Sequence, residues 1–117
     1  MKQSLIQDRT FRFAVDSIKL SVQMIEKKEY VLSKQLLRSG TIIVANIEEA
    51  IASKSKKDFL SKMSVSLKES PETNYWLRLL KESKLVDVDY STNIKESREI
   101  NNIISAIVKT TKQNVNS

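Results

Sequence analysis

The side chains that could do chemistry in this sequence are mostly lysines and arginines. Lys54, Lys56 and Lys57 stand close together, and Lys62 follows them. Lysine ammonium groups neutralise nucleic-acid phosphates, and each phosphate neutralised on a duplex adds about 0.9 unit to the salt dependence of binding. The same run is also typical of a solvated helix start. The sequence therefore predicts a candidate phosphate contact here and leaves the solvated-surface interpretation open.

Four other cations are predicted to form a basic stripe: Arg9, Arg12, Lys34 and Arg38. Lys34 and Arg38 stand four residues apart, a spacing that puts both side chains on one face of a helix. Arg38 has a second interpretation, as an internal ion-pair partner for Glu49, Glu69 or Glu72. The sequence leaves open whether this guanidinium is exposed or held in such a pair.

Polar side chains near the apolar positions predict a structural network around Arg38, with four further members: Asn46, Glu49, Glu69 and Glu72. The chain has no histidine and no cysteine, which excludes histidine-based triads, thiol nucleophiles and ordinary zinc sites. An oxygen site for a hard cation is the only metal chemistry that remains, and the carboxylates favour the structural network instead. We therefore expect no catalytic residue, no metal, no cofactor and no enzymatic activity.

Positive charge is concentrated in the first two-thirds of the chain. The 117 residues carry a formal net charge of +6, whereas residues 85–117 hold four basic and four acidic side chains and add nothing to it. A basic surplus raises encounter rates with RNA, DNA or any polyanion, although it also serves solubility. Charged residues interrupt every apolar run that could be a signal peptide or membrane span, so we expect a cytoplasmic protein with no membrane partner.

The elements that must position these side chains are predicted to be helices. One glycine and one proline leave too few turn residues for a sandwich or barrel. Steps of four and three residues separate the members of an apolar stripe in the first helix: Phe11, Val15, Ile18, Val22 and Ile25. A second apolar stripe beside it indicates a helix that is contacted from more than one side. We therefore expect association into a homo-oligomer.

Three further helices are predicted, over about residues 30–52, 55–85 and 92–112. Together the four helices give an all-α, up-down four-helix bundle, with residues 1–117 as a single domain. Ser55 and Asp58 predict the cap of the third helix, and Pro71 predicts a kink or short break inside it. Gly40 in the middle of the second helix predicts the close approach of a neighbouring helix.

Three stretches carry a resemblance to a known family: residues 30–50 (YVLSKQLLRSGTIIVANIEEA), 53–59 (SKSKKDF) and 67–80 (LKESPETNYWLRLL). They resemble the small four-helix bundle proteins encoded by intervening sequences inside bacterial 23S ribosomal RNA genes, to which the accessory proteins of diversity-generating retroelements look related. The resemblance covers residues 11–112. It implies a homopentameric ring without catalytic activity and a role in binding RNA or DNA. Pro71 departs from the family pattern, where the helix usually continues.

Two functions follow from these observations. The first is a non-enzymatic, oligomeric, nucleic-acid-binding protein, with RNA favoured, that presents a basic surface to its ligand. The alternative is a structural scaffold for a protein partner, in which the positive charge serves only solubility. The asymmetric charge and the resemblance favour the first.

Overall fold

The computed structural model describes residues 2–116 of the chain, with side chains from residue 5 to residue 115. Within that range the chain forms four helices and no strand: α1 (Lys2–Glu26), α2 (Val31–Ala52), α3 (Lys56–Ser83) and α4 (Ser91–Asn116). All four predicted helices are present, and α4 continues past the predicted end at Lys112 to Asn116.

Consecutive helices pack against each other along the chain, which produces an up-down bundle with extents of 50 × 22 × 21 Å. The contact between α2 and α3 is the most extensive, whereas α1 and α4, which close the bundle, contact each other least. The predicted all-α four-helix bundle is therefore confirmed.

The core runs along the bundle axis and takes apolar side chains from every helix. Phe13, Ile43, Leu77 and Ile104 are among its fully buried members, one from each helix in turn. Tyr90, in the connection between α3 and α4, also enters the core, and its hydroxyl donates to the carbonyl oxygen of Val86 at 3.2 Å. The connection is thereby tied to the bundle although it is not helical.

The ends of α3 are set by local chemistry. The backbone N–H of Asp58 donates to Ser55 Oγ at 3.1 Å, so Ser55 is the predicted N-cap. At the other end Lys84 takes a left-handed conformation with φ 55°, which ends the helix after Ser83. This cap at Ser55 fixes where the lysines of the α2–α3 turn lie.

Pro71 lies inside α3 without interrupting it. The helix is continuous from Lys56 to Ser83, so the predicted break does not occur, while the predicted kink stays a prediction. A proline supplies no N–H for the carbonyl four residues before it. Because Pro71 is exposed, while Met63 before it and Leu77 after it are fully buried, core packing on both sides holds the segment helical.

Candidate nucleic-acid interface

The lysines of the α2–α3 turn form an exposed cationic cluster, which we call the turn patch and define as Lys54, Lys56 and Lys57. α2 ends at Ala52, and the Ser55 cap directs the chain straight into α3, so the three side chains are held at one end of the bundle. Lys54 and Lys56 also line a cleft of about 400 Å³, together with Ala50 and Phe59. Among the described side chains, none of the three lysines has a carboxylate within 4.0 Å.

Lys62 lies near the turn patch in sequence, but it is paired with a carboxylate. Its Nζ lies 3.8 Å from Glu49 Oε1 across the α2–α3 interface, and both side chains are largely solvent-accessible. A pair at that distance in water is weak. Lys62 therefore keeps part of its charge but shares it with a neighbouring carboxylate.

Arg9 joins α1 to α4 through two carboxylates. Its Nε donates to Glu96 Oε2 at 3.0 Å and its Nη2 to Glu96 Oε1 at 2.6 Å, and Nη2 also donates to Glu99 Oε2. Hydrogen bonding to Glu96 raises the pKa of Arg9 above its ordinary value, and the hydrogen bond from Arg9 lowers the pKa of Glu99. The charge of Arg9 is thus balanced within the protein.

Arg38 joins α2 to α3 in a similar way. Nη1 donates to Glu69 Oε1 at 3.2 Å and Nη2 to Glu72 Oε1 at 2.8 Å. The side chain of Arg38 is nevertheless 45% exposed, while Glu69 is buried. Both sequence interpretations of Arg38 therefore apply at once, because the guanidinium neutralises a buried carboxylate from a position that solvent reaches.

The four cations predicted as one stripe do not form one. Arg9 points to α4 and Arg38 to α3, and these two helix interfaces lie on opposite sides of an up-down bundle. Arg12 and Lys34 are exposed, and Arg12 lines a cleft with Asp16 and the two carboxylates that Arg9 binds. The stripe divides between helices: Arg9 and Arg12 on α1 lie beside the carboxylates of α4, whereas Arg38 on α2 contacts those of α3.

The predicted polar network is also divided. Arg38, Glu69 and Glu72 come together, but Asn46 lies apart from them: its Nδ2 donates to the carbonyl oxygen of Ile42 on its own helix, at 3.0 Å. Glu49 faces Lys62 instead. The amide of Asn46 satisfies a local acceptor one turn earlier and so needs no charged partner.

Tyr75 and Trp76 contact each other, with ring centroids 5.3 Å apart and planes tilted by 58°. Two adjacent aromatic residues on a helix point about 100° apart, so the sequence predicts one ring in the core and the other at a subunit interface. The core position on this turn of α3 belongs to Leu77, whereas Trp76 is half-buried and Tyr75 is exposed. The Tyr75 ring therefore lies at the surface, whereas Trp76 is partly buried and its Nε1 has no hydrogen-bond partner among the described residues.

Sequence reasoning did not single out three cations between α3 and α4: Arg78, Lys81 and Arg98. The neutral charge count of residues 85–117 concealed Arg98, and no local pattern marked Arg78 and Lys81 on α3. Glu96 and Glu99 are drawn to Arg9 on α1, whereas Arg98 lines clefts on the α3 side of the same helix. Adjacent helical residues point about 100° apart, so charges that cancel by count can be separated across a helix. Assigning each charged residue of α4 to a helix face would have shown that Arg98 lies apart from Glu96 and Glu99.

The described residues include no group of three or more carboxylate side chains that could hold a metal ion. In the same part of the chain, each helix either is too polar or carries too many charges for a bilayer-spanning segment.

Comparison with known proteins places these features in a family context. A sequence model of the family described as 23S rRNA-intervening sequence protein matches residues 2–106. A crystal structure of a protein with unknown function from the S23 ribosomal protein family of Bacteroides thetaiotaomicron VPI-5482 superposes with a TM-score of 0.87. It is 41% identical in sequence, and the match covers 93% of this chain and 99% of that one. No curated protein matches the chain.

Proposed function

Because the chain belongs to the 23S rRNA-intervening sequence protein family, we propose that it is a non-enzymatic, oligomeric protein that binds nucleic acid, with RNA as the preferred ligand. The observation that carries this proposal is the turn patch. Lys54, Lys56 and Lys57 are exposed together at one end of the bundle, and no described carboxylate lies within ion-pairing distance of them. Their charge is therefore available to phosphates. Neutralisation of phosphates by lysine and arginine is the main source of affinity that does not depend on nucleic-acid sequence.

Assembly is the second part of the proposal. The apolar stripe on α1 is largely exposed: Phe11 at 60%, Ile18 at 46%, Val22 at 50% and Ile25 at 47%. A 4-3-4-3 spacing is the pattern that packs against another helix, and such an unpaired stripe is typical of an interaction surface. We propose a second copy of this chain as its occupant. The resemblance to the family favours five copies in a closed ring.

A ring would repeat the turn patch once for each subunit. Several patches could then engage one strand of RNA, so that each contact after the first forms at a high effective concentration. This arrangement gives useful affinity to a patch that is weak in a single subunit.

The experiment is a titration of a single-stranded oligoribonucleotide at several salt concentrations between about 50 and 200 mM. The patch variant is Lys54→Glu, Lys56→Glu and Lys57→Glu. We expect at least a tenfold loss of affinity, and a salt slope that is smaller by about 2, since three single-strand phosphate contacts contribute about 0.7 each. Glutamate in the first turn of α3 suits the helix dipole, so the fold should persist.

The matched control reverses Lys27, Lys28 and Lys84 to Glu at the opposite end of the bundle, with an equal change in net charge. The control should bind RNA more tightly than the patch variant. Equal losses in both variants would show that only overall charge matters. No binding by the wild type to RNA or DNA at about 50 mM salt would overturn the proposal and favour a scaffold for a protein partner.

A further inference from the structure

A groove between α3 and α4 has the features of a second anion site. Two adjoining cavities, of about 280 and 330 Å³, share Arg78 and Arg98 in their walls. Arg78 comes from α3 and Arg98 from α4, so the two guanidinium groups face the same groove from both sides. We call this feature the α3–α4 groove; it lies apart from the turn patch.

Arg78 is held in place by neutral groups. Its Nε donates to Asn74 Oδ1 at 2.8 Å, and Asn74 Nδ2 donates to Ser97 Oγ at 2.7 Å. Ser97 is itself buried and donates to the carbonyl oxygen of Ile94 at 2.8 Å. The guanidinium is therefore positioned through a chain of hydrogen bonds that begins in the core.

The contrast with the other paired arginines is informative. Arg9 and Arg38 each contact two carboxylates, so their positive charge is balanced internally. Arg78 is oriented by an amide, and neither Arg78 nor Arg98 has a described carboxylate within 4.0 Å. An arginine that is positioned but not neutralised keeps its remaining N–H donors for an anion, and the forked guanidinium fits phosphate oxygens.

The remaining wall of the groove supports the same ligand chemistry. Lys81 and Lys95 add positive charge, and Glu82 is the one carboxylate of the described lining. Lys95 also lies near Glu99, whose pKa it helps to lower. Asn101 lines the groove as well, and its Oδ1 is buried with no hydrogen-bond partner among the described residues. The groove thus presents a cationic wall to an anion, whereas the Asn101 oxygen only accepts hydrogen bonds and is not a phosphate ligand.

We propose that the α3–α4 groove binds the phosphate groups of a nucleic-acid strand, with Arg78 and Arg98 as the phosphate ligands and Asn74 as a positioning residue. The choice of nucleic acid as the source of phosphate rests on the function proposed above. The site itself rests on the groove and its hydrogen bonds, and it does not depend on the turn patch.

The first test uses inorganic phosphate and needs no RNA. The chain has five arginines, so their side-chain Nε–H signals can be resolved by ¹H–¹⁵N NMR and assigned with single Arg→Lys variants. Phosphate should shift the signals of Arg78 and Arg98 in a saturable way, and chloride at matched ionic strength should not. Shifts no larger than those of the exposed Arg12 would overturn the site.

The second test measures binding of the single-stranded oligoribonucleotide by Arg78→Gln, Arg98→Gln. We expect an affinity loss of at least tenfold and a salt slope smaller by about 1.4, for two single-strand phosphate contacts. The control Lys19→Gln, Lys109→Gln removes the same charge at exposed positions outside the groove. An equal effect of both double variants would overturn the groove while leaving the proposed function intact. If wild type binds no RNA, the proposed function fails, and the phosphate titration still decides the site.

Two substitutions of Asn74 distinguish its role in positioning Arg78 from the effect of neutralising the charge of Arg78. In Asn74→Asp the new carboxylate would stand one helical turn from Arg78 and pair with it, as carboxylates do with Arg9. Asn74→Ala keeps every positive charge but removes the amide that orients Arg78. We expect Asn74→Asp to weaken RNA binding most and Asn74→Ala to weaken it with an unchanged salt slope. Binding by both variants at wild-type strength would contradict the positioning role.

Discussion

Gly40 of α2 lies so close to Ser17 of α1 that a Cβ atom on Gly40 would stand 2.8 Å from Ser17 Oγ and 3.2 Å from Ser17 Cβ. Gly40 does not have a positive φ, so close approach explains the glycine and backbone conformation does not. Ser17 is buried, and its hydroxyl donates to the carbonyl oxygen of Phe13 at 2.9 Å. The two small residues therefore set the separation of α1 and α2.

Gly40→Ala is expected to destabilise the protein by up to about 2 kcal/mol. Alanine favours a helix interior by about 1 kcal/mol, but the overlap with Ser17 forces α1 and α2 apart, and overpacking costs about 1–3 kcal/mol. Urea unfolding at one fixed protein concentration measures the difference. In a Ser17→Ala background the hydroxyl contact is gone, so the cost of Gly40→Ala should be smaller. A stability gain from the single Gly40→Ala variant would contradict this account.

The sequence was sufficient for the helices and for Gly40, because both depend on local information. Apolar periodicity marked four helices, and one glycine inside a helix pointed to a close neighbour. The residue that approaches Gly40 could not be predicted, because it depends on how each helix is rotated in the bundle. The cap at Ser55 was predictable because its partner, the N–H of Asp58, is only three residues away.

Pro71→Ala is expected to leave the fold intact and to raise thermal stability or barely change it. The alanine N–H can donate to the carbonyl oxygen of Leu67, which a proline leaves without its helical partner. Alanine also gives the unfolded chain more conformational entropy than proline does, and this offsets part of the gain. Thermal unfolding monitored by circular dichroism measures the effect, with Lys68→Ala as an exposed control on the same helix. A loss above about 2 kcal/mol would mean that the proline conformation is required.

Stability should fall at acidic pH through the contact between Arg9 and Glu99. The hydrogen bond from Arg9 holds the pKa of Glu99 below its ordinary value of 4.5. The folded state therefore binds this proton less readily than the unfolded chain. The stabilisation is fully present above the unfolded pKa and is lost as the pH falls through the lower folded pKa.

Glu99→Gln should accordingly lower stability near neutral pH and weaken the dependence of stability on pH below about 4.5. Unfolding by urea at a series of pH values gives both quantities. Glu26→Gln removes an exposed carboxylate that makes no ion pair with any of the described side chains, so it should change the pH profile less. Identical profiles for wild type and Glu99→Gln would show that the contact contributes nothing to folding.

The candidate site was less predictable than the fold, and for a physical reason. The basic stripe grouped Arg9 with Arg38, yet Arg9 is paired with carboxylates of α4 at the other end of the chain. The pairing of Arg38 with Glu69 and Glu72 was one of its two sequence interpretations. Arg98 was passed over because the basic and acidic residues of the last segment cancel by count, and Arg78 because nothing in its local sequence shows that it faces Arg98. Which cations remain unpaired is decided by long-range contacts, and the residue types alone do not carry that information.

The proposed ring requires two different apolar faces on each subunit. The stripe on α1 is one. A second set of exposed apolar side chains lies on α3, which is diagonal to α1 in the bundle: Val65, Tyr75 and Leu79. Two unlike faces that bind each other make a head-to-tail contact, which closes into a ring when the rotation allows. A contact of α1 with α1 would instead stop at a two-fold dimer.

Two variants distinguish these assemblies. Ile18→Glu, Val22→Glu removes the α1 face and Tyr75→Glu, Leu79→Glu removes the α3 face. In a head-to-tail ring each variant alone is a monomer by light scattering, because a lone subunit then lacks one of the two complementary faces. Mixing the variants should produce a one-to-one dimer and nothing larger, since each supplies the face that the other lacks. Lys19→Glu, Gln23→Glu, exposed on α1 outside the stripe, should assemble like the wild type. If the α3 variant alone is a dimer and mixing creates no new species, α1 pairs with α1 and the ring is wrong.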